Sequence, residues 1–312
     1  MGGSCYDRDV ISTSSNRAFS DYSDTTISSV TVDDRLLPKR GTDRRCRDID
    51  CFHLNPIVCV LDVTGSMGDW SKVIYDKLPL FFGEIEKQGY LSDAAISFAA
   101  VGDAHCDQAP FQICNFSQSR ELDDYLSRLW LEAGGGGQHR ESYEMMAYFY
   151  LNHCELTKPQ QSFLFFTGDE GFYPQIEPNL VRQYFGDTVE KLDSGEIFRR
   201  LCEKYQVFLL HKEYYYKDEE KRILKQWKDV LGERVLTLTD PKSVIDVMLG
   251  AIAISSKTRD LGTYLNDMRD RGQTPKRLKE VEETLGNFSS TLAIVKATIK
   301  GMLPAPKDKK NQ

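Results

Sequence analysis

A chain of 312 residues, 40% hydrophobic and 28% charged, is long enough for one large α/β domain with appendages and ordinary in composition for a soluble globular fold. Its formal net charge of −7 argues against a general nucleic-acid binder. No apolar run approaches the roughly 18 residues of a membrane span, so neither nucleic acid nor membrane is expected as a partner, and the expected location is cytoplasmic.

Residues 1–50 are rich in Ser, Thr, Asp and Arg, with few apolar residues in any period, and are expected to be disordered or loosely draped over the rest. The start Met1-Gly2-Gly3-Ser4-Cys5-Tyr6 is similar to a myristoylation signal, but Tyr6 stands where Ser or Thr is wanted. Lys39, Arg40, Arg44, Arg45 and Arg47 gather among Asp residues with no aromatic partners, as in a solvated linker. Cysteines stand at 5, 46, 51, 59, 106, 114, 154 and 202 without a C-x-x-C pair, which reads as reduced thiols. Cys46, Cys51 and His53 lack a fourth ligand at zinc-like spacing.

The first core strand is the unbroken apolar run 57–61, a pattern for burial on both faces of a parallel sheet. It ends in Asp62, and the loop that follows alternates Asp62, Thr64 and Ser66 between Gly65 and Gly68. Ile74, Leu78, Phe81, Phe82 and Ile85 then share one helical face, with Pro79 a bend and Gly89 a stop. Residues 94–101 form the next buried strand, ending in Gly102-Asp103, and 111–116 a short edge strand. A helix over 119–132 turns Leu122, Tyr125, Leu126 and Leu129 inward, ahead of four glycines at 134–137 and a helix running to 154.

The apolar strand 161–166 ends in Thr167-Gly168-Asp169-Glu170-Gly171. Two more strand–helix units follow, 207–210 with 218–231 and 235–238 with 241–253. Strands alternating with helices predict a doubly wound, mostly parallel sheet with helices on both faces, its ligand site beyond the carboxyl ends of the strands. The tail places Leu278, Val281, Leu285, Phe288, Leu292, Val295, Ile299 and Met302 on a heptad seam. That seam either packs on the parent domain or carries self-association. The expected organisation is a polar segment over 1–50, one domain over 51–255, and a helical extension with a Lys-rich end over 256–312.

Asp62-Val63-Thr64-Gly65-Ser66-Met67 has the D-x-[ST]-x-S form of a metal-ion-dependent adhesion site. With Thr167-Gly168-Asp169 after a later strand and the run 135–141 between them, the chain resembles the von Willebrand factor A domains, in the intracellular subgroup that reads D-V-T-G-S-M. Gly102-Asp103 and Asp107 resemble that subgroup's middle acids. Gly135-Gly136-Gly137-Gln138-His139-Arg140-Glu141 resembles its G-G-G-D-x-P-E, with Gln138 for the acid and Arg140 for the proline. Gly168 is inserted relative to the commoner T-D pattern.

The resemblance covers roughly residues 55–255. It implies a Rossmann-like fold and a site for Mg²⁺, with Mn²⁺ or Ca²⁺ as substitutes. Asp62, Thr64, Ser66 and Asp169 would hold the ion, with the middle ligand from Gln138, Glu141 or Ser142. Gly65, Asp103, Asp107, Gly137, Glu141 and Glu170 would form the rim. Such a site is a non-enzymatic binding device: neutral hydroxyls leave the ion excess positive charge, and an Asp or Glu of a partner protein completes its octahedron.

The competing class is a Mg²⁺-dependent phosphohydrolase of haloacid-dehalogenase type, whose nucleophile motif D-x-D-x-[TV] would need an acid where Thr64 stands. No catalytic residue is assigned. Ser66 is not on a G-x-S-x-G elbow, and the glycine run lacks the Lys-[ST] of a phosphate loop.

Overall fold

Strands with apolar side chains at every position need a cover on both faces, and the chain supplies one for each. A computed structural model describes residue 29 and residues 31–39, 45–118, 121–132 and 139–302, with side chains as far as 293. The amino-terminal start with Cys5, the glycine run with Gly137 and Gln138, and the Lys-rich end lie outside the described residues.

In chain order the main elements are β1 (Asn55–Asp62), α1 (Asp69–Lys77), α2 (Pro79–Gln88), β2 (Ala94–Val101) and β3 (Phe111–Ile113). Next come α3 (Glu121–Arg128), α4 (Tyr143–Asn152), β4 (Phe163–Gly168), α5 (Pro178–Tyr184) and α6 (Ser194–Lys204). The remainder is β5 (Gln206–Lys212), α7 (Lys217–Leu231), β6 (Val235–Leu238), α8 (Val244–Ser255), α9 (Leu261–Asp270) and α10 (Pro275–Met302).

The six strands form one mixed sheet in the order β6-β5-β4-β1-β2-β3. All neighbours are parallel except the edge strand β3, which runs antiparallel to β2. β1 lies between β2 and β4, and its order reversal places the first crossovers to opposite sides of it. In such sheets the carboxyl ends of the strands flanking the reversal frame a crevice.

Successive side chains of each strand enter opposite apolar layers. Ile57, Cys59, Leu61, Ile96, Phe98, Phe165, Phe208 and Leu236 join Ile74, Phe81, Ile85, Ile252 and Met268 on one face. Val58, Val60, Val101, Leu164, Phe166, Val207 and Leu209 join Met146, Phe149, Phe198, Leu201 and Trp227 on the other. The alternation explains why β1 and β2 contain no exposed position.

Several boundaries differ from those read in the sequence. The helix expected through Pro79 is two helices, because proline without an N–H suits the first turn of a new helix and here occupies it in α2. Gly89 closes α2 at φ 65°, a left-handed position that glycine takes without penalty. The segment between Gly171 and β5 contains α5 and α6, for which no element was predicted. α6 starts at Asp193, whose side chain accepts from the Glu196 N–H at 2.8 Å, and it buries Ile197, Phe198 and Leu201.

The tail seam packs inward as far as it is described. Val281, Leu285 and Phe288 are buried in the layer that holds α8 and α9, with Leu278 and Leu292 against it. Asp246 of α8 lies 3.5 Å from Arg271 and 3.7 Å from Arg277. Residues of the 1–50 segment are also anchored: Leu36 is in one layer, Cys46 and Ile49 in the other. Ile49–Cys51 pairs in parallel with Cys154–Leu156, beside a clasp in which His153 meets Asp48 at 2.8 Å and Asp187 at 2.7 Å. All seven cysteines among the described residues are free, and His53 turns to Asp93 at 2.8 Å. No helix among the described residues is long and apolar enough to cross a membrane.

Candidate functional site

The register of the sheet assembles the site. β1 and β4 are paired up to Leu61 and Thr167, so Asp62 and Asp169 emerge side by side at the carboxyl ends of neighbouring strands. β5 pairs with β4 up to His211 and Gly168, and the next residue, Lys212, lies against Asp169.

After Asp62 the chain turns through a short 3-10 helix, Gly65–Met67, into α1. The turn is closed by Gly68, whose N–H donates to the Gly65 carbonyl at 3.1 Å and whose φ is 54°. Ser71 on α1 donates to the Asp62 carbonyl at 2.7 Å, fastening the helix to the strand end.

Four oxygen-bearing side chains then form a continuous line. Asp62 Oδ1 accepts from the Thr64 N–H at 2.9 Å and from Thr64 Oγ1 at 2.5 Å. Thr64 Oγ1 and Ser66 Oγ are 3.2 Å apart, and Ser66 Oγ donates to Asp169 Oδ1 at 2.7 Å. Asp62, Thr64 and Asp169 are buried. Asp62 Oδ2 accepts from the Tyr143 hydroxyl, and the Asp62 N–H donates to Thr167 Oγ1 at 3.3 Å.

Gly168 has no room for a side chain: a Cβ there would overlap the Tyr143 hydroxyl on its way to Asp62.

More acids gather around this line. The pair Arg140–Glu141 runs parallel to Gly171–Phe172, which sets Glu141 opposite Phe172 and within reach of the Glu170 charge. Burial, then the charges of Asp62 and Glu170, push the Glu141 carboxyl up to about 11, and its Oε2 is buried with no hydrogen-bond partner among the described residues. Burial and Asp169 push Glu170 up to about 8. Burial, then Asp169, push Asp62 up to about 7 against its own hydrogen bonds.

Asp103 and Asp107 form a neighbouring turn rather than part of the line. The Asp103 N–H donates to Asp107 Oδ2 at 2.7 Å, while Asp103 accepts from Ser142 Oγ at 3.3 Å and from the Tyr173 hydroxyl at 3.0 Å. Ser142 itself accepts from the Ala104 N–H at 2.9 Å, so it holds that turn. Gly65 lies in the 3-10 turn, whereas Gly137 and Gln138 are outside the described residues.

Among the described residues no group of three or more His, Cys, Asp and Glu side chains is disposed to hold a metal. The line at Asp62 is of another kind, two carboxylates and two hydroxyls, all hard oxygens of the sort Mg²⁺ accepts. A buried Glu141 oxygen with no partner among the described residues, and carboxyls raised by burial and then by one another's charges, also fit a cation.

Two members escaped the sequence reading: Tyr143, which satisfies Asp62 from 81 residues away, and Lys212. Lys212 Nζ donates to Asp169 Oδ2 at 2.6 Å and to the Ser66 carbonyl at 2.7 Å. The signal for it was a lysine at the carboxyl end of a strand whose centre, 207–210, is apolar.

The rim above the site is aromatic and polar. Tyr214 meets His139 Nδ1 at 2.5 Å, and Tyr215 and Tyr216 are 87% and 59% exposed. A groove of about 580 Å³ runs from His139 and Arg140 past Gln226.

No family model matches the chain, and no curated protein matches it. Among solved structures, the pilus adhesin SpaC from Lactobacillus rhamnosus GG is similar at TM-score 0.47 and 11% identity, over 68% of this chain and 32% of the adhesin. The same adhesin in its open conformation gives 0.46 and 9%, over 68% and 31%. Proximal thread matrix protein 1 from the mussel byssus gives 0.41 and 13%, over 65% and 48%. The chain thus spans about a third of the adhesin's length and about half of the matrix protein's.

Proposed function

We propose that the chain is a non-enzymatic protein-binding module of the von Willebrand factor A kind, with a doubly wound sheet. A divalent cation, Mg²⁺ by the hardness of the donors, would bridge it to an Asp or Glu of a partner protein. Asp62, Thr64, Ser66 and Asp169 would hold the ion, with Glu141 nearby to balance its charge.

The observation that carries this reading is the unbroken oxygen line at the ends of β1 and β4. The strand order, with its reversal at β1, supports the fold part. Exposed aromatics beside a charged site are what protein interfaces use as anchors, and Tyr215 and Tyr216 meet that description. They favour a macromolecular partner over a small phosphate ester.

Mg²⁺-dependent phosphohydrolysis is the competing reading. It needs a second acid at the position of Thr64, whose hydroxyl instead donates to Asp62. Such a hydrolase would turn over phosphate esters with Mg²⁺.

The test is capture of binding proteins with Mg²⁺ or with chelator, repeated with D62A, alongside a phosphatase assay. Metal-dependent capture lost in D62A, with circular dichroism unchanged, is the expected outcome. Mg²⁺-dependent phosphatase turnover abolished in D62A would replace this reading with the hydrolase.

A further inference from the structure

Asp169 already has a cation. Lys212 Nζ stands 2.6 Å from its Oδ2 and 2.7 Å from the Ser66 carbonyl, so one ammonium ties together two of the four residues assigned to the ion. The Lys212 side chain is 21% exposed and reaches the site from the end of β5, whereas Asp169 is 2% exposed. Its reach is flexible, since four methylenes allow the ammonium to leave for solvent without moving the strand. Asp169 is buried, and an unneutralised buried carboxylate is costly.

We infer that Lys212 is a tethered counter-ion that competes with the divalent cation for Asp169. It keeps the metal-free site folded and charge-balanced, and it swings out when the metal enters. The inference rests on the metal-site reading above and adds its regulation: affinity is held down by the protein's own ammonium, so the site loads only where divalent cation is plentiful or a partner carboxylate joins it. A released ammonium at the rim is also placed to meet that partner carboxylate.

The experiment measures Mn²⁺ binding by calorimetry and by electron paramagnetic resonance, for the full chain, K212M, K212Q and K212M/D62A. The expected result is Mn²⁺ affinity tighter by about ten-fold or more in K212M and K212Q, because a competing charge-assisted bond is gone, and lost in K212M/D62A. A second measurement needs no variant: acetylation of Lys212 by an amine-reactive ester, read by mass spectrometry, should rise on adding Mg²⁺. Mn²⁺ bound by the wild type and no more tightly by either lysine variant, with Lys212 acetylation unmoved by Mg²⁺, overturns the competition and leaves the metal site standing. Absence of Mn²⁺ binding in every protein overturns the metal reading and the competition with it.

Discussion

A Cβ at Gly168 would overlap the Tyr143 hydroxyl, and that hydroxyl donates to Asp62, so one absent side chain determines how the first acid of the site is held. Gly168→Ala should cost about 1–3 kcal/mol, as overpacking does. Tyr143→Phe should cost about 1 kcal/mol through the lost hydrogen bond. The double variant should lose less than the sum, because removing the hydroxyl relieves part of the overlap. Urea denaturation of the four proteins checks this, and additive losses would show that the two residues act apart. The local spacing of Asp62, Thr64 and Ser66 was legible in the sequence because it is a property of one loop. Tyr143 was not, since nothing local marks a tyrosine whose partner lies tens of residues away in the chain, and Lys212 was marked only by its place at a strand end.

The helices divide along the same line. Strands with long apolar runs announced themselves, as did α7 and α8, because hydrophobic pattern and length agree there. α6 was missed although its Asp193 cap and its Ile197, Phe198, Leu201 stripe are present in the sequence; the preceding stretch of turns and paired dipeptides obscured its start. On α8, Asp246 is fully buried, and burial pushes its carboxyl up to about 6 although Arg271 and Arg277 oppose the shift, with Glu84 adding to it. Tyr264 also reaches the Asp246 backbone carbonyl. A carboxyl raised in the folded state holds an extra proton between its unfolded value of about 3.8 and 6, so stability falls as pH rises through that window and levels off above it. The loss should be on the order of 3 kcal/mol, at about 1.4 kcal/mol per pKa unit. In D246N this contribution should be absent, leaving the shallower slope set by the other raised carboxyls, Asp62, Glu141 and Glu170. Denaturation at pH 4, 5, 6 and 7 measures it, and equal slopes in the two proteins would show that Asp246 does not titrate in that range.

At the scale of the molecule, the described part of the segment before β1, residues 31–39 and 45–54, belongs to the folded body. Its composition predicted loose attachment, because a tally of apolar residues cannot see which of the few present are buried. Among the described residues Leu36, Cys46, Ile49 and Cys51 are buried, and Ile49–Cys51 adds a strand pair. Deleting residues 1–51 should therefore lower the melting temperature by about 4 °C or more, on the scale of a kcal/mol or two for each buried aliphatic side chain lost. An unchanged melting curve would show the anchoring to be superficial. Residues 256–293 are likewise continuous with the body, since Tyr264 and Leu285 fill the space a side chain at Gly250 would need.

The junction of Ser66, Asp169 and Lys212 has a consequence for how the sheet breathes. It joins the loop after β1, the end of β4 and the end of β5, which are 103 and 146 residues apart in the chain as measured from Ser66. Strand ends normally fray, and their amides exchange with solvent through small local openings. Here the carboxyl ends of three central strands are cross-tied while their amino ends have no such tie through these residues. Amide exchange should accordingly be lopsided: protons near Leu61, Thr167 and His211 should be released only by openings large enough to part three strands at once, and those near Asn55, Phe163 and Gln206 by smaller ones.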